Sequence, residues 1–133
     1  VGTYIGQTDV ENVFGEDNVE TWSDMDASGS TDTTRVAKGI SVAEDDIQNR
    51  FRGGDYAIPF STATEVLKDF MAKLAGLWLY ENRPKHSSDD NNEYYSKMKE
   101  QVDMDIESYT SGQRRLNITR SETDTPRAPI VVM

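Results

Sequence analysis

The stretch Thr62–Tyr80, TATEVLKDFMAKLAGLWLY, decides the fold. Thr62 and Glu65 have the spacing of a capping box, in which a hydroxyl and a carboxylate satisfy each other's orphan amides, and this predicts a helix start. Val66, Leu67, Phe70, Met71, Leu74, Ala75, Leu77, Trp78 and Leu79 then cover more than half of the helix surface until Pro84 stops it. A helix that is apolar on most sides must be surrounded by other elements, so this one is expected at the centre of the domain.

Upstream of it, Val36, Ile40, Ala43, Ile47 and Phe51 step by three and four from a capping Asp32, which predicts a helix of about five turns closed by Gly53 and Gly54. Gly39 inside that helix costs about 1 kcal/mol relative to alanine, so it marks a close helix crossing or is tolerated without purpose. Two short helices open the chain. Thr8 with Glu11 predicts the first, carrying Val10, Val13 and Phe14 up to Gly15; Asp17 caps the second, carrying Val19 and Trp22.

Between the two long helices, Pro59 pushes Ile58 toward an extended conformation, so residues 55–60 form a structured apolar loop. Tyr56, Ile58 and Phe60 are more apolar surface than a turn needs, and they are expected either in the core or against a neighbouring chain. Downstream, the polar run Lys85 to Asn92 reads as a loop, and a last helix begins near Tyr94 and Tyr95. It buries Tyr95, Met98, Val102, Ile106 and Tyr109 and closes at Gly112. The expected fold is therefore all-α, a small bundle of about five helices over residues 1–112, followed by an extended C-terminal tail over residues 113–133. Pro126 and Pro129 in the tail precede an apolar end, Ile130, Val131, Val132 and Met133, which either adds to a partner as a docking strand or frays. The tail is not expected to pack into the core.

The 133 residues suit one domain with one modest core. Only 35% are hydrophobic against 29% charged, with a net charge of −10, which suits an extended or tail-bearing protein. The charge is uneven: no lysine or arginine precedes Arg35, whereas Asp9, Glu11, Glu16, Asp17, Glu20, Asp24, Asp26 and Asp32 do. Arg114, Arg115, Arg120 and Arg127 make the tail the only basic element, which disfavours non-specific nucleic-acid binding by the body. No apolar run reaches the roughly 20 residues that span a bilayer, and the first residues lack a basic-then-apolar pattern, so a soluble, unsecreted protein is expected.

The search for chemistry along the chain points away from an enzyme. With no cysteine and the single His86, thiolate and multi-histidine metal sites are excluded. The turn from Asp24 to Asp32 matches the first half of a calcium loop, but the twelfth place is Arg35, a cation where a bidentate carboxylate belongs. Asp24, Asp26 and Asp32 are thus a weak metal candidate, and no cofactor is expected. Arg52-Gly53-Gly54-Asp55 lacks the spacing and the lysine of a phosphate cradle. No acid–base pair or nucleophile stands out, and Trp78, Tyr80, Tyr94 and Tyr95 lie at helical positions that suit a core better than a base-stacking platform.

Three features together resemble the Mu-like head-completion family of tailed phages: the short helix ending in Phe14-Gly15, the Asp-rich turn at 24–32, and Phe51-Arg52-Gly53-Gly54-Asp55-Tyr56-Ala57-Ile58-Pro59-Phe60. The helix ending in Leu79-Tyr80-Glu81-Asn82-Arg83 and the last helix from Tyr94 follow in the same order. The resemblance covers residues 3–112 and does not fix the tail. It implies an all-helical head-to-tail connector subunit in the virion, assembled from the host cytoplasm into a ring, usually of twelve copies, beneath the portal. Its other neighbour would be a downstream neck or tail-completion protein, DNA would pass through the lumen without sequence-specific binding, and no membrane would be involved. On this reading the acidic front third lines the channel and repels phosphate, while Arg114, Arg115, Arg120, Arg127, Ile130, Val131 and Val132 dock to the portal. Two other classes stay open, a tail-completion or terminator protein, which would be sheet-rich, and a small acidic host-directed regulator.

Overall fold

A computed structural model describes residues 2–54, 56–85 and 92–116. Five helices follow in order: α1 (Gln7–Phe14), α2 (Glu16–Ser23), α3 (Thr33–Phe51), α4 (Glu65–Glu81) and α5 (Asn92–Thr110). The fold is small and all-α. α4 is its axis, packed against α1, α2, α3 and α5, while α5 makes its main helix contact with α4. The apolar spacing read in α3 is realised in full, with Val36, Ile40, Ala43, Ile47 and Phe51 all buried. In α5, Tyr95, Val102 and Ile106 are buried and Met98 and Tyr109 pack on the core's margin.

Two glycines let the helices approach closely. A Cβ on Gly39 would stand 3.0 Å from Trp78 Cε3 and 3.3 Å from the Ala75 carbonyl, so Gly39 marks the close crossing of α3 on α4. A Cβ on Gly76 would overlap the ring of Phe14, which brings α1 onto the other side of α4. Phe14, Trp22, Tyr80 and Tyr95 form one edge-to-face and tilted aromatic cluster that joins α1, α2, α4 and α5.

The helix starts differ from the sequence expectation at three places. α1 begins after Gly6, whose N–H donates to Asp9 Oδ2 at 2.8 Å, so Asp9 does the work expected of Thr8 and Glu11. The cause lies upstream, where residues 3–5 are held on α3 and set the chain's entry two residues earlier. α2 starts at Glu16 with Gly15 as its cap, and Asp17 sits in the first turn, where its charge favours the positive helix end. For α4 the cap is Thr64, whose Oγ1 accepts the Leu67 N–H at 3.3 Å, instead of Thr62. Phe60 is buried against Phe51, and the chain spends residues 61–63 leaving that site before it turns helical. Asp32 caps α3 as expected, accepting the Arg35 N–H at 3.1 Å.

Candidate functional site

The loop after α3 lies inside the domain. Tyr56 and Phe60 are buried and their rings meet Phe51 edge to face, with centroids 5.6 Å away in each case. Ile58 and Pro59 are joined by a cis peptide bond beside them, Ile58 half-buried and Pro59 exposed. The loop also collects the two ends of the described chain. Tyr4 Oη donates to the Phe60 carbonyl at 2.7 Å, and Tyr56 Oη accepts the Leu116 N–H at 2.8 Å. Burial, and after it the negative charge of Glu44, raise the Tyr4 hydroxyl above its ordinary range, which keeps it protonated and able to donate. Of the alternatives open for this loop, the core takes Tyr56 and Phe60, and Ile58 keeps a partly open face.

Glu44 went unnoticed in the sequence. Its buried carboxylate accepts the N–H groups of Thr3, Tyr4 and Ile5 at 3.0, 2.8 and 2.9 Å, and so straps residues 3–5 onto α3. The signal was its position four residues after Ile40, an acid at apolar spacing on the inward face of the helix. A carboxylate there needs a set of donors, and three successive amides supply it.

The acidic turn spends its ligating atoms on itself. Asp24 Oδ1 accepts from Ser28 N and Oγ at 2.8 and 2.9 Å, and Oδ2 accepts from Gly29 N at 2.7 Å. Asp32 is committed to capping α3, and Asp26 is exposed. Arg35 turns away toward α4, donating from Nη2 to the Asn82 carbonyl at 2.9 Å with its guanidinium 5.2 Å from the Trp78 ring centre. Among the described residues no group of three or more His, Cys, Asp or Glu side chains is placed to hold a metal ion. Glu16, Asp17, Asp26 and Asp32 stand in solvent, so this end of the protein presents carboxylates without a lysine or arginine from the first 34 residues to balance them.

α5 and the chain that leaves it form the other surface. Tyr94 and Met104, 60% and 63% exposed, lie on the outer side of α5, so Tyr94 departs from the core role expected of the helical aromatics. Trp78 is half-buried, while Tyr80 and Tyr95 are buried. Arg50 of α3 reaches across to α5, with Nη1 2.8 Å from Asp103 Oδ1. Burial pulls its guanidinium down, but the hydrogen bonds to Asp103 and Asp46 outweigh this and hold it above its ordinary value. Beyond Gly112 the chain does not leave the body at once. Arg114 lies over the Tyr109 ring at 4.7 Å and pairs with Asp105 at 3.4 Å, and Leu116 is 7% exposed, packed in the core. The tail expected to stay off the core from residue 113 thus returns to it at Leu116, with Gln113, Arg114 and Arg115 exposed on the way. Leu116 is large and apolar, and Tyr56 offers its amide an acceptor. Arg115 is described and has partners of its own. Asp55, His86, Arg120, Arg127, Ile130, Val131 and Val132 lie outside the described residues.

Between α1 and α5, over the first turns of α4, runs a groove of about 570 Å³. Val13, Val66, Phe70 and Tyr109 give it an apolar lining, with Arg114 on its rim. Val66 was expected in the core with the rest of α4, but it is 39% exposed and faces this groove. Nothing among the described residues covers it.

Fold and surface together define a small all-α protein with a mostly buried central helix, an acidic front and an open outer helix. No helix among the described residues is long and apolar enough to cross a membrane. Residues 4–133 match the family model described as bacteriophage Mu, Gp36, and the chain belongs to that family. It is therefore a bacteriophage protein of structural or morphogenetic type. The match runs to Met133, so the family pattern includes the tail, further than the resemblance over residues 3–112 reached. No curated protein matches the chain.

Proposed function

We propose that this protein is a head-to-tail connector subunit that assembles into a ring beneath the portal and leaves a lumen for DNA. The observation that carries the reading is the membership of the whole described domain and its tail in the Mu Gp36 family. The all-α fold agrees with it, whereas a sheet-rich terminator would need strands that the described helices do not provide. The outer side of α5, with Tyr94 and Met104, is the surface assigned to the neighbouring subunit, since large exposed apolar side chains on a rigid helix suit an assembly contact. The carboxylates of α1, α2 and the 24–32 turn are assigned to the channel, where they repel phosphate and let DNA slide. Portal docking falls to Arg120, Arg127, Ile130, Val131 and Val132, with Arg115 at the root of the segment and Arg114 already engaged with α5. No catalytic step and no cofactor enter this role.

Imaging of purified particles tests the proposal. The expected result is density for this chain in a ring at the head–tail junction. Particles that contain a junction but lack the chain would overturn the proposal in favour of a host-directed regulator.

A further inference from the structure

We propose that the outer side of α5 docks antiparallel on the outer side of α3 of a second copy of this chain, so that the subunit contact joins two different faces. The inference rests on the ring reading and deepens it by naming what meets α5. Along that helix Tyr94, Lys97, Gln101 and Met104 follow at steps of three, four and three residues and are all exposed, the spacing of a coiled-coil seam. Glu93, Glu100 and Glu107 run along one flank of the seam, exposed and in no ion pair among the described residues.

These charges decide against α5 pairing with itself. Laid antiparallel, two such seams bring the same three glutamates against each other; laid parallel, they bring them to the opposite flank, where Met98 and Asp105 stand and no cation answers. The face that meets α5 must therefore be cationic. Lys68, Lys73, Arg50 and Arg114 are already neutralised by carboxylates of their own subunit. Lys38 on α3 and Arg52 at its C-terminal end are exposed and in no ion pair among the described residues, and Arg52 spends Nε on Asn49. They are 14 residues apart, as are Glu93 and Glu107, so each pair shares one helix side and spans about 21 Å at 1.5 Å per residue. With Glu93 opposite Arg52 and Glu107 opposite Lys38, Met104 comes over Ser41, a small exposed side chain beside the half-buried Val42. Asp45 then falls opposite Glu100, and Lys97, one turn along α5, is in reach to separate the two acids. A contact between unlike faces leaves one of each free on the outermost copies, so it adds further subunits until a ring closes.

Charge reversal tests the pairing, with self-association of the full chain read by sedimentation at low salt. Glu93→Lys/Glu107→Lys and Lys38→Glu/Arg52→Glu change exposed positions only. Each double variant alone should keep the parental helix content by circular dichroism and lose about tenfold in self-association. Mixed in equal amounts they should recover it, because the reversed α5 of one meets the reversed α3 of the other while the two unreversed faces meet as in the parent. The inference is overturned by a parent that stays monomeric up to its solubility limit, by either variant associating like the parent, or by a mixture that stays dissociated. A chain present in rings at the head–tail junction whose variants associate like the parent removes this pairing and spares the ring reading.

Discussion

α4 and α5 differ by two residues in length, 17 against 19, yet ten residues of α4 are buried and three of α5. Both are helices by the same local rules, and what separates them is the number of neighbours each must satisfy. α4 is enclosed by four helices and fixes the core. α5 has one main helical partner and keeps an outer side open, which is where a protein that assembles needs its unsatisfied surface. Stability is thereby placed on α4 and, under the proposed ring reading, assembly would fall to α5, so substitutions on one should be felt differently from those on the other.

The largest effect is expected from Leu79→Ala in α4. Leu79 is fully buried, so the loss should be about 2–5 kcal/mol in denaturant unfolding, and a loss under 1 kcal/mol would mean that α4 is not the core. Next is Glu44→Ala, which removes the acceptor of three amides. Because residues 3–5 can then peel off into water, the cost should be capped near about 2 kcal/mol, with hydrogen exchange at Tyr4 and Ile5 rising toward unprotected rates. Tyr56→Phe takes the acceptor from the Leu116 amide and should cost about 1 kcal/mol, read most clearly as faster exchange at Leu116 with α4 unchanged. The smallest effect on stability is expected from Met104→Glu on the outer side of α5, within about 0.5 kcal/mol of the parent. That same variant should weaken self-association measured by sedimentation, and unchanged association would remove the open side of α5 from the proposed ring contact.

Elements whose partners are local were legible in the sequence. The apolar spacing of α3 named its five buried apolar side chains, Asp32 was recognisable as its cap, and the inward positions of α5 from Tyr95 to Ile106 followed from the helical period. Caps set from a distance were not legible. Thr62 has the pattern of a cap, but burial of Phe60 moves the start of α4 to Thr64; Thr8 has it too, but the strap on Glu44 moves the start of α1 to Gln7. The surface was read less well than the core for the same reason. Val66 and Tyr94 look like their buried neighbours in sequence, and only the groove between α1 and α5 leaves the first open, just as the single main partner of α5 leaves the second. Leu116 shows the converse, an isolated apolar residue in a polar stretch that gains a place in the core from Tyr56, 60 positions away.

The sequence alone therefore determined the helices, their approximate limits, the central place of α4 and the separation of an acidic front from a basic tail, because helical period, capping chemistry and charge act over a few neighbouring residues. The tertiary structure decided which glycines are crossings, why a buried glutamate is tolerated at position 44, where the acidic turn spends its carboxylates, and which apolar side chains stay uncovered. Each of these depends on residues far apart in the chain arriving at the same place, and packing alone settles that.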